Sequence, residues 1–449
     1  MRSSAVAIVG AGFSGTMLAA QLARRGIKSV LIEGAGRAGL GTAFSTREAA
    51  HLLNVPADTM SAWADDPDHF ARVVEGHGGT ATDYAERREF GIYLSAILDE
   101  ALASGLVELI EARAVAARRE GDGWRIAIED KRTVVADALA LAQGNLPPES
   151  LYGTGHLGGD MFVNNPWSAD SAAAIARVAQ SDGDVLIVGT GLTMIDMLLS
   201  LDAAGHRGRI VALSRRGQVP RVHADFVPAP VALDAVPQGN VAALWRWLRR
   251  QAGEVGWRAA VDSLRPHSQT LWSMMGQAEQ RRFVRHARPW WDVHRHRIAP
   301  QVAAKISAMA GEGRLEIVAG RIGAMRAVEG GIEVEIRRRL STLRPRAGEP
   351  SLRTSGEVRK FVAGFNCTGP LGAIGRTRDP VLRQMLDEGL VEIDDLEMGL
   401  AVDMDSRAGA RLWALGPLTK GTYWEIVAVP DIREQAAAVA EDIMTELAK

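Results

Sequence analysis

The chain has 449 residues, of which 47% are apolar and 24% charged, with a formal net charge of −2. That length fits two or three domains with a substantial core, and near-neutrality gives no electrostatic basis for binding nucleic acid or an anionic membrane. The single cysteine, Cys367, excludes an internal disulfide, a Cys-x-x-Cys redox pair and a cysteine-rich zinc site, and is compatible with a cytoplasmic location.

The opening "MRSSAVAIVGAG" has the arginine and apolar run of a signal peptide, but the run is short and leads into a glycine turn. It reads as a first strand. No apolar run reaches the length of about 18 residues that a membrane helix needs, so no membrane span is expected. Gly10, Gly12 and Gly15 then match G-x-G-x-x-G. "TMLAAQLARRG" follows as a helix ending at Gly26, and "SVLIEG" as a second strand closed by Glu33, 18 residues after Gly15. The glycines differ in what they permit. Gly10 allows the tight turn, Gly12 lets a pyrophosphate approach the backbone, and Gly15 lets helix and strand pack closely. The helix N-terminus offers N–H groups to phosphate, and Glu33 can accept hydrogen bonds from a ribose diol. NAD and FAD both fit such a unit. The long polar stretch "GLGTAFSTREAAHLLNVPADTMSAW" favours FAD, because a plain NAD unit would reach its next helix after a short loop.

"LVELIEARAVAARREGDGWRIAIED" and "VVADALALAQGN" read as a strand, a β-meander and a final apolar strand ending at Gly144. The same plan recurs later as "RLEIVAGRIGAMRAVEGGIEVEIRRR" and "EVRKFVAGFNCTG", ending at Gly369, which suggests a duplicated nucleotide-binding unit. The second copy opens at "VLIVGTGLTMID", with Gly189, Thr190 and Gly191 in the loop and Met194 in place of the third glycine. That substitution predicts slightly looser packing between helix and strand. Its second strand, "RIVALSRRG", ends not in an acid but in Ser214, Arg215 and Arg216, which suits the 2′-phosphate of NADP.

Residues 231–300 interrupt the second copy with a mostly helical pattern and hold six of the eleven tryptophans: Trp245, Trp247, Trp257, Trp272, Trp290 and Trp291. These read chiefly as helix-packing residues, with a substrate lid as the alternative. In "WWDVHRHR", Asp292, His294 and His296 alternate, but the surrounding helical pattern and the lack of a cysteine partner argue against a metal. A structural role, or phosphate contact by Arg295 and Arg297, fits better, and an acid/base role for His294 or His296 stays open. Cys367 reads as a small buried hydrophobe. No metal site is expected and no catalytic residue is assigned.

These stretches, with "GTAFST", "HLLNVPADTMSAW", "NNPW", "LSRRGQVPRVH", "RHARPWWDVHRHRIAP", "NCTGPLG" and "GPLTKGTYWEIVAVPDIREQA", resemble the two-dinucleotide-binding-domain flavoproteins. Within them they resemble the bacterial FAD/NAD(P)-binding family related to flavin-dependent monooxygenases. The resemblance implies an α/β fold of two Rossmann-like domains, each with a β-meander, plus the helical insertion. Residues 1–156 and 370–449 would form the FAD domain, and 157–369 the NAD(P)H domain with the insertion at about 231–300. Carried over by position, the Gly10–Gly15 loop with Phe13 and Ser14, together with Glu33, would bind the adenosine diphosphate of FAD. Thr42 and Ala43 would run beside the flavin, with Asn54 near its ring, Gly144 at the diphosphate and Gly416 near the ribityl or pyrimidine side. The helix beginning near Pro430 would point its positive end at the flavin C2 carbonyl. Many relatives carry an acid after that glycine, where this chain has Pro417. Gly189, Thr190, Gly191, Arg215 and Arg216 would hold NADPH.

The function implied is that of an FAD-dependent, NADPH-using oxidoreductase, and more narrowly a monooxygenase. In it NADPH reduces the flavin, and a flavin hydroperoxide oxygenates a small-molecule substrate. A reductase or dehydrogenase without oxygen insertion, and a non-catalytic flavin-binding redox sensor, are the alternatives. A disulfide reductase is excluded by the single cysteine. The sequence specifies no oligomeric state.

Overall fold

A computed structural model describes residues 2–151, 153–339 and 354–449. By contacts the chain divides into two units, one of Met1–Leu146, Phe226–Arg288 and Leu371–Lys449, the other of Pro147–Asp225 and Pro289–Pro370.

In the first unit the main sheet runs in the order Arg407–Gly409, Leu412–Ala414, Thr133–Leu141, Arg2–Val9, Ser29–Ile32, Val107–Ile110. Its central strands are parallel, with Val6 opposite Ser29 and Ala138, and Val9 opposite Ile32 and Leu141. Parallel strands buried on both faces need apolar residues at every position, and the sequence supplies them. Val6, Ile8 and Leu31 point into one core with the helices Phe13–Arg24, Arg87–Ala103 and Val429–Leu447. Ala7, Val9, Val30 and Ile32 point into the other, with Trp124 and the helix Pro380–Asp387. Ala114–Glu120, Gly123–Ile128 and the start of Thr133–Leu141 form the expected antiparallel meander.

The second unit repeats this plan. Leu315–Ala319, Ile210–Ser214, Val185–Val188, Ala363–Asn366 and Phe162–Val163 lie side by side, all parallel. In both units the order of the core strands is last, first, second, third. The second meander, Arg321–Val328, Gly331–Arg339 and Thr354–Phe361, is a separate three-stranded sheet. In the first unit one continuous strand, Thr133–Leu141, passes from meander into main sheet. In the second, Val362 separates the two strands that do the same.

The tryptophan-rich stretch is helical, as its pattern suggests: Val241–Val255, Trp257–Ser263, Ser268–Ser273, Gln277–Arg282, then a π-turn at Phe283–Ala287 running into Arg288–Arg295. Asn240 caps the first of these, its Oδ1 accepting from the Ala243 N–H at 2.8 Å. Contacts group Phe226–Arg288 with the first unit, whereas chain order alone would count it with the second. Trp247, Trp272 and Trp291 are buried, as packing residues should be, while Trp290 is exposed. Asp292, His294 and His296 lie on or at the end of a helix rather than along a strand, and His294 Nδ1 hydrogen-bonds the Trp290 carbonyl at 2.7 Å. No described helix is long and apolar enough to cross a membrane.

Candidate functional site

The two glycine loops have the same backbone. Gly10 and Gly189 adopt φ of +101° and +115°, which only glycine tolerates readily. A Cβ on Gly10 would sit 2.5 Å from the Ala142 carbonyl oxygen, and one on Gly189 2.1 Å from that of Cys367. So each loop folds back against the strand that precedes Gly144 or Gly369, as a repeated unit requires. Gly12 and Gly191 cap the helices Phe13–Arg24 and Leu192–Ala203 with φ, ψ of −75°, −167° and −87°, −163°. A glycine cap has no side chain to take up the first N–H groups, which leaves them for a phosphate.

The loops differ at the third glycine. A Cβ on Gly15 would lie 1.8 Å from the Gly10 carbonyl oxygen. At the corresponding place, Met194 is wholly buried, so the second helix keeps its cap and accommodates a long side chain.

Around the first loop the other expected residues gather. Glu33 is buried, its Oε2 accepting from the Ala11 N–H at 3.0 Å and its Oε1 from the Ala35 N–H at 2.7 Å. These bonds fix the carboxylate at the loop, and each oxygen keeps a lone pair for a sugar hydroxyl. Thr42 and Ala43 are exposed on the short turn Gly41–Phe44, which touches the loop so closely that a Cβ on Gly41 would sit 2.9 Å from Gly12 Cα. Asn54 is half-buried, next to a segment held by the Leu53 N–H donating to the Ala85 carbonyl at 2.8 Å. Gly416 packs on Ser14, where a Cβ would meet Ser14 Oγ at 2.5 Å. Phe13 and Ser14 are themselves buried in the first helix turn.

Sequence reasoning missed the polar residues that complete this region. Gln435 is buried on the C-terminal helix. It accepts the Gly416 N–H at 2.7 Å and donates to Thr419 Oγ1 at 3.1 Å, fixing the Gly416–Thr419 turn. Gln143, between the last strand and Gly144, has both amide atoms buried and no hydrogen-bond partner among the described residues. An orphaned amide beside Gly10 is a place for a polar cofactor, since such a group otherwise carries a desolvation cost of about 1–3 kcal/mol. The residues therefore fit FAD at the first loop: phosphate-facing N–H groups, an anchored acid and an unused amide.

At the second loop, Thr190 Oγ1 hydrogen-bonds Ser214 Oγ at 2.8 Å and the Gln218 carbonyl, and Ser214 Oγ accepts the Gly217 N–H at 3.0 Å. This ties the glycine loop to the arginine turn. Arg215 and Arg216 are exposed, and among the described residues neither takes part in a hydrogen bond or ion pair. Gln218 Nε2 is buried without a partner. Two free guanidinium groups and a spare amide donor suit an anionic nucleotide.

Further along the first unit, Lys420 is mostly buried and donates from Nζ to the Leu371 carbonyl at 3.1 Å. Burial, helped by the Arg288 charge and opposed by Asp394, pushes its ammonium down to about 8. An unfolded lysine titrates near 10.4, so below pH ~8 the folded state holds a proton it binds poorly, at a cost of roughly 3 kcal/mol. The cost fades as pH rises from ~8 toward the unfolded value. Lys420→Met is therefore expected to stabilise the protein by up to roughly 3 kcal/mol near pH 7, with the gain disappearing above pH ~10. Chemical denaturation at the two pH values checks this, and a variant no more stable than its parent at pH 7 would count against it.

Among the described residues no cluster of three His, Cys, Asp or Glu side chains is placed to hold a metal. Cys367 is buried, and burial with the nearby Asp196 charge pushes its thiol far up.

Comparisons with known proteins agree with this geometry. Residues 7–146 match the family of FAD-NAD(P)-binding domains. No curated protein sequence matches the chain. The reduced form of the ornithine hydroxylase of Pseudomonas aeruginosa shares the fold over 99% of this chain and 100% of its own, at 15% identity and a TM-score of 0.66. The ornithine N-hydroxylase of Kutzneria sp. 744, solved with reduced FAD, NADP+ and L-ornithine, covers 99% of each chain at 15% identity and a TM-score of 0.64. The bacillithiol disulfide reductase of Staphylococcus aureus does so over 99% of each chain at 12% identity and 0.59. The chain thus carries an FAD-NAD(P)-binding domain at residues 7–146, within the fold of the two-dinucleotide-binding-domain flavoproteins.

Proposed function

We propose that the protein is an FAD-dependent oxidoreductase that takes electrons from NADPH and acts as a monooxygenase on a small substrate. The observation that carries this reading is the pairing of two glycine loops of one geometry, one closed by the anchored acid Glu33, the other by two unengaged arginines. Residues 1–156 and 370–449 would house FAD and residues 157–369 NADPH, in a chain working in the cytoplasm.

Bound FAD would supply hydride acceptance and electron transfer to dioxygen. The protein's own part is positioning. The first N–H groups of the helix Phe13–Arg24 take the FAD phosphates, and Glu33 takes the ribose hydroxyls. Gly12 keeps that path free of a side chain, while Gly10 and Gly15 let the loop close against Ala142 and the helix pack on the loop. Gln143 and Gly144 border the diphosphate, Thr42, Ala43 and Asn54 line the flavin end, and Gln435 holds the Gly416 turn against it. In the second unit Gly189, Thr190 and Gly191 cradle the NADPH pyrophosphate, and Arg215 and Arg216 pair with its 2′-phosphate. The relatives of this fold include disulfide reductases, but one buried cysteine cannot make or exchange an internal disulfide.

The purified protein is expected to be yellow, to release FAD on denaturation, and to bleach when NADPH is added without oxygen. On admitting air, a transient spectrum distinct from the oxidised and reduced forms marks a monooxygenase, and a direct return to the oxidised spectrum marks a reductase. A colourless protein that cannot be reconstituted with FAD would sink the reading altogether.

A further inference from the structure

The two glycine loops share one register, so their residues can be matched. Val9 pairs with Ile32 and Val188 with Leu213, and the Gly10 and Gly189 N–H groups donate to the Ile32 and Leu213 carbonyls at 2.9 and 2.8 Å. Ala11 therefore corresponds to Thr190, and Glu33 to Ser214. In the first unit Glu33 does two things at this junction. It anchors the loop through the Ala11 N–H, and it keeps lone pairs for a ribose diol. An acid in the matching place of the second unit would repel a 2′-phosphate.

Ser214 keeps the anchoring part alone, and the count of protons decides this. Thr190 Oγ1 has one proton, which goes to the Gln218 carbonyl, a group that can only accept. In the 2.8 Å contact between the two hydroxyls, Ser214 is therefore the donor. Its oxygen in turn accepts the Gly217 N–H at 3.0 Å. The Ser214 proton is spent inside the chain, and none is left for a phosphate oxygen.

These bonds hold the turn that carries Arg215 and Arg216. Gly217 closes the turn with φ of +62°, and a Cβ there would lie 3.3 Å from Ala319 Cβ. The Gly320 N–H donates to the Ser214 carbonyl at 2.9 Å. The start of the turn is thus fixed by backbone at its carbonyl and by the Thr190 hydroxyl at its side chain. Arg215 and Arg216 follow directly and are exposed. A fixed backbone beneath a long side chain reduces what binding must order.

We propose that Ser214 is a positioning residue for the selection of 2′-phosphorylated nucleotides: with Thr190 it latches the arginine turn to the glycine loop, without itself touching the phosphate. The proposal deepens the NADPH reading of the second loop and rests on it for the identity of the ligand.

Calorimetric titration of the purified holoprotein with adenosine 2′,5′-bisphosphate, and with NAD+, which lacks the 2′-phosphate, tests it. Ser214→Ala is expected to weaken the bisphosphate about tenfold, while NAD+ changes less than about threefold. Ser214→Thr keeps the hydroxyl and is expected to bind both as the parent does. Thr190→Val removes the other half of the latch and is expected to weaken the bisphosphate by a similar factor. The Ser214→Ala, Thr190→Val double variant is expected to be no weaker than the single ones, since all break one contact. A Ser214→Ala variant that binds the bisphosphate like its parent, or that loses bisphosphate and NAD+ equally, would overturn the latch. So would a Thr190→Val variant that binds like the parent while Ser214→Ala does not, because Ser214 would then reach the phosphate itself. If Arg215→Ala with Arg216→Ala abolishes bisphosphate binding and Ser214→Ala does not weaken it, the latch alone fails. A parental protein that binds neither ligand refutes the nucleotide reading of the second loop, and the latch with it.

Discussion

Gly15→Ala is expected to give a chain that no longer holds FAD. The added Cβ would lie 1.8 Å from the Gly10 carbonyl oxygen, far inside any contact a real methyl group makes. Gly10 cannot give way, because its φ of +101° is fixed and the Ala142 backbone stands directly behind it. The helix cannot give way either: Met17, Leu18 and Leu22 are wholly buried in the first core, so moving it outward would open the main packing of the unit. Overpacking of this kind costs about 1–3 kcal/mol where the neighbours can adjust, and more where backbone meets backbone. The expected result is loss of bound flavin together with a lower melting temperature. Retention of stoichiometric FAD by Gly15→Ala would show that the loop geometry is not what holds the cofactor.

Arg215→Ala with Arg216→Ala is expected to weaken NADPH on the order of a hundredfold while leaving NADH nearly unchanged. Both guanidinium groups are exposed and engage nothing among the described residues, so their removal breaks no contact within the chain. The double variant should therefore melt within about 0.5 kcal/mol of the parent. What it loses is the charge-assisted bonds to a 2′-phosphate, each about 1.5–3 kcal/mol, and NADH has no such phosphate. Flavin reduction rates against the concentration of each nucleotide read the effect directly. Equal losses for both nucleotides would remove the arginines from the 2′-phosphate site.

Much of this was legible because nucleotide loops are local. The strand, glycine turn, helix and second strand lie within about thirty residues, and their glycines answer to local demands, a positive φ at Gly10 and Gly189 and a close backbone approach at Gly15, that the sequence pattern encodes directly. That is why both loops were readable, whereas the close approach of Gly416 to Ser14 was not. The residues that escaped notice act at long range. Gln435 fixes a turn 19 residues before it, and Trp272 grips a carbonyl 149 residues later. A buried glutamine or lysine leaves no periodic signature, since its identity matters only once chain reversal has brought its partners near. The alternation of Asp292, His294 and His296 misleads for the opposite reason: a period of two has meaning on a strand, and these residues sit at a helix.

The burial of Cys367 has a chemical consequence for the second glycine loop. Its carbonyl backs Gly189, so any bulk added at that residue would press on the second glycine loop. Oxidation of a thiol proceeds through the thiolate, and here the thiol is both enclosed and held protonated. An oxidant arriving from solvent would meet the exposed Met404 and Met274 before Cys367, so oxidative wear would fall on the surface of the protein rather than behind its nucleotide loop.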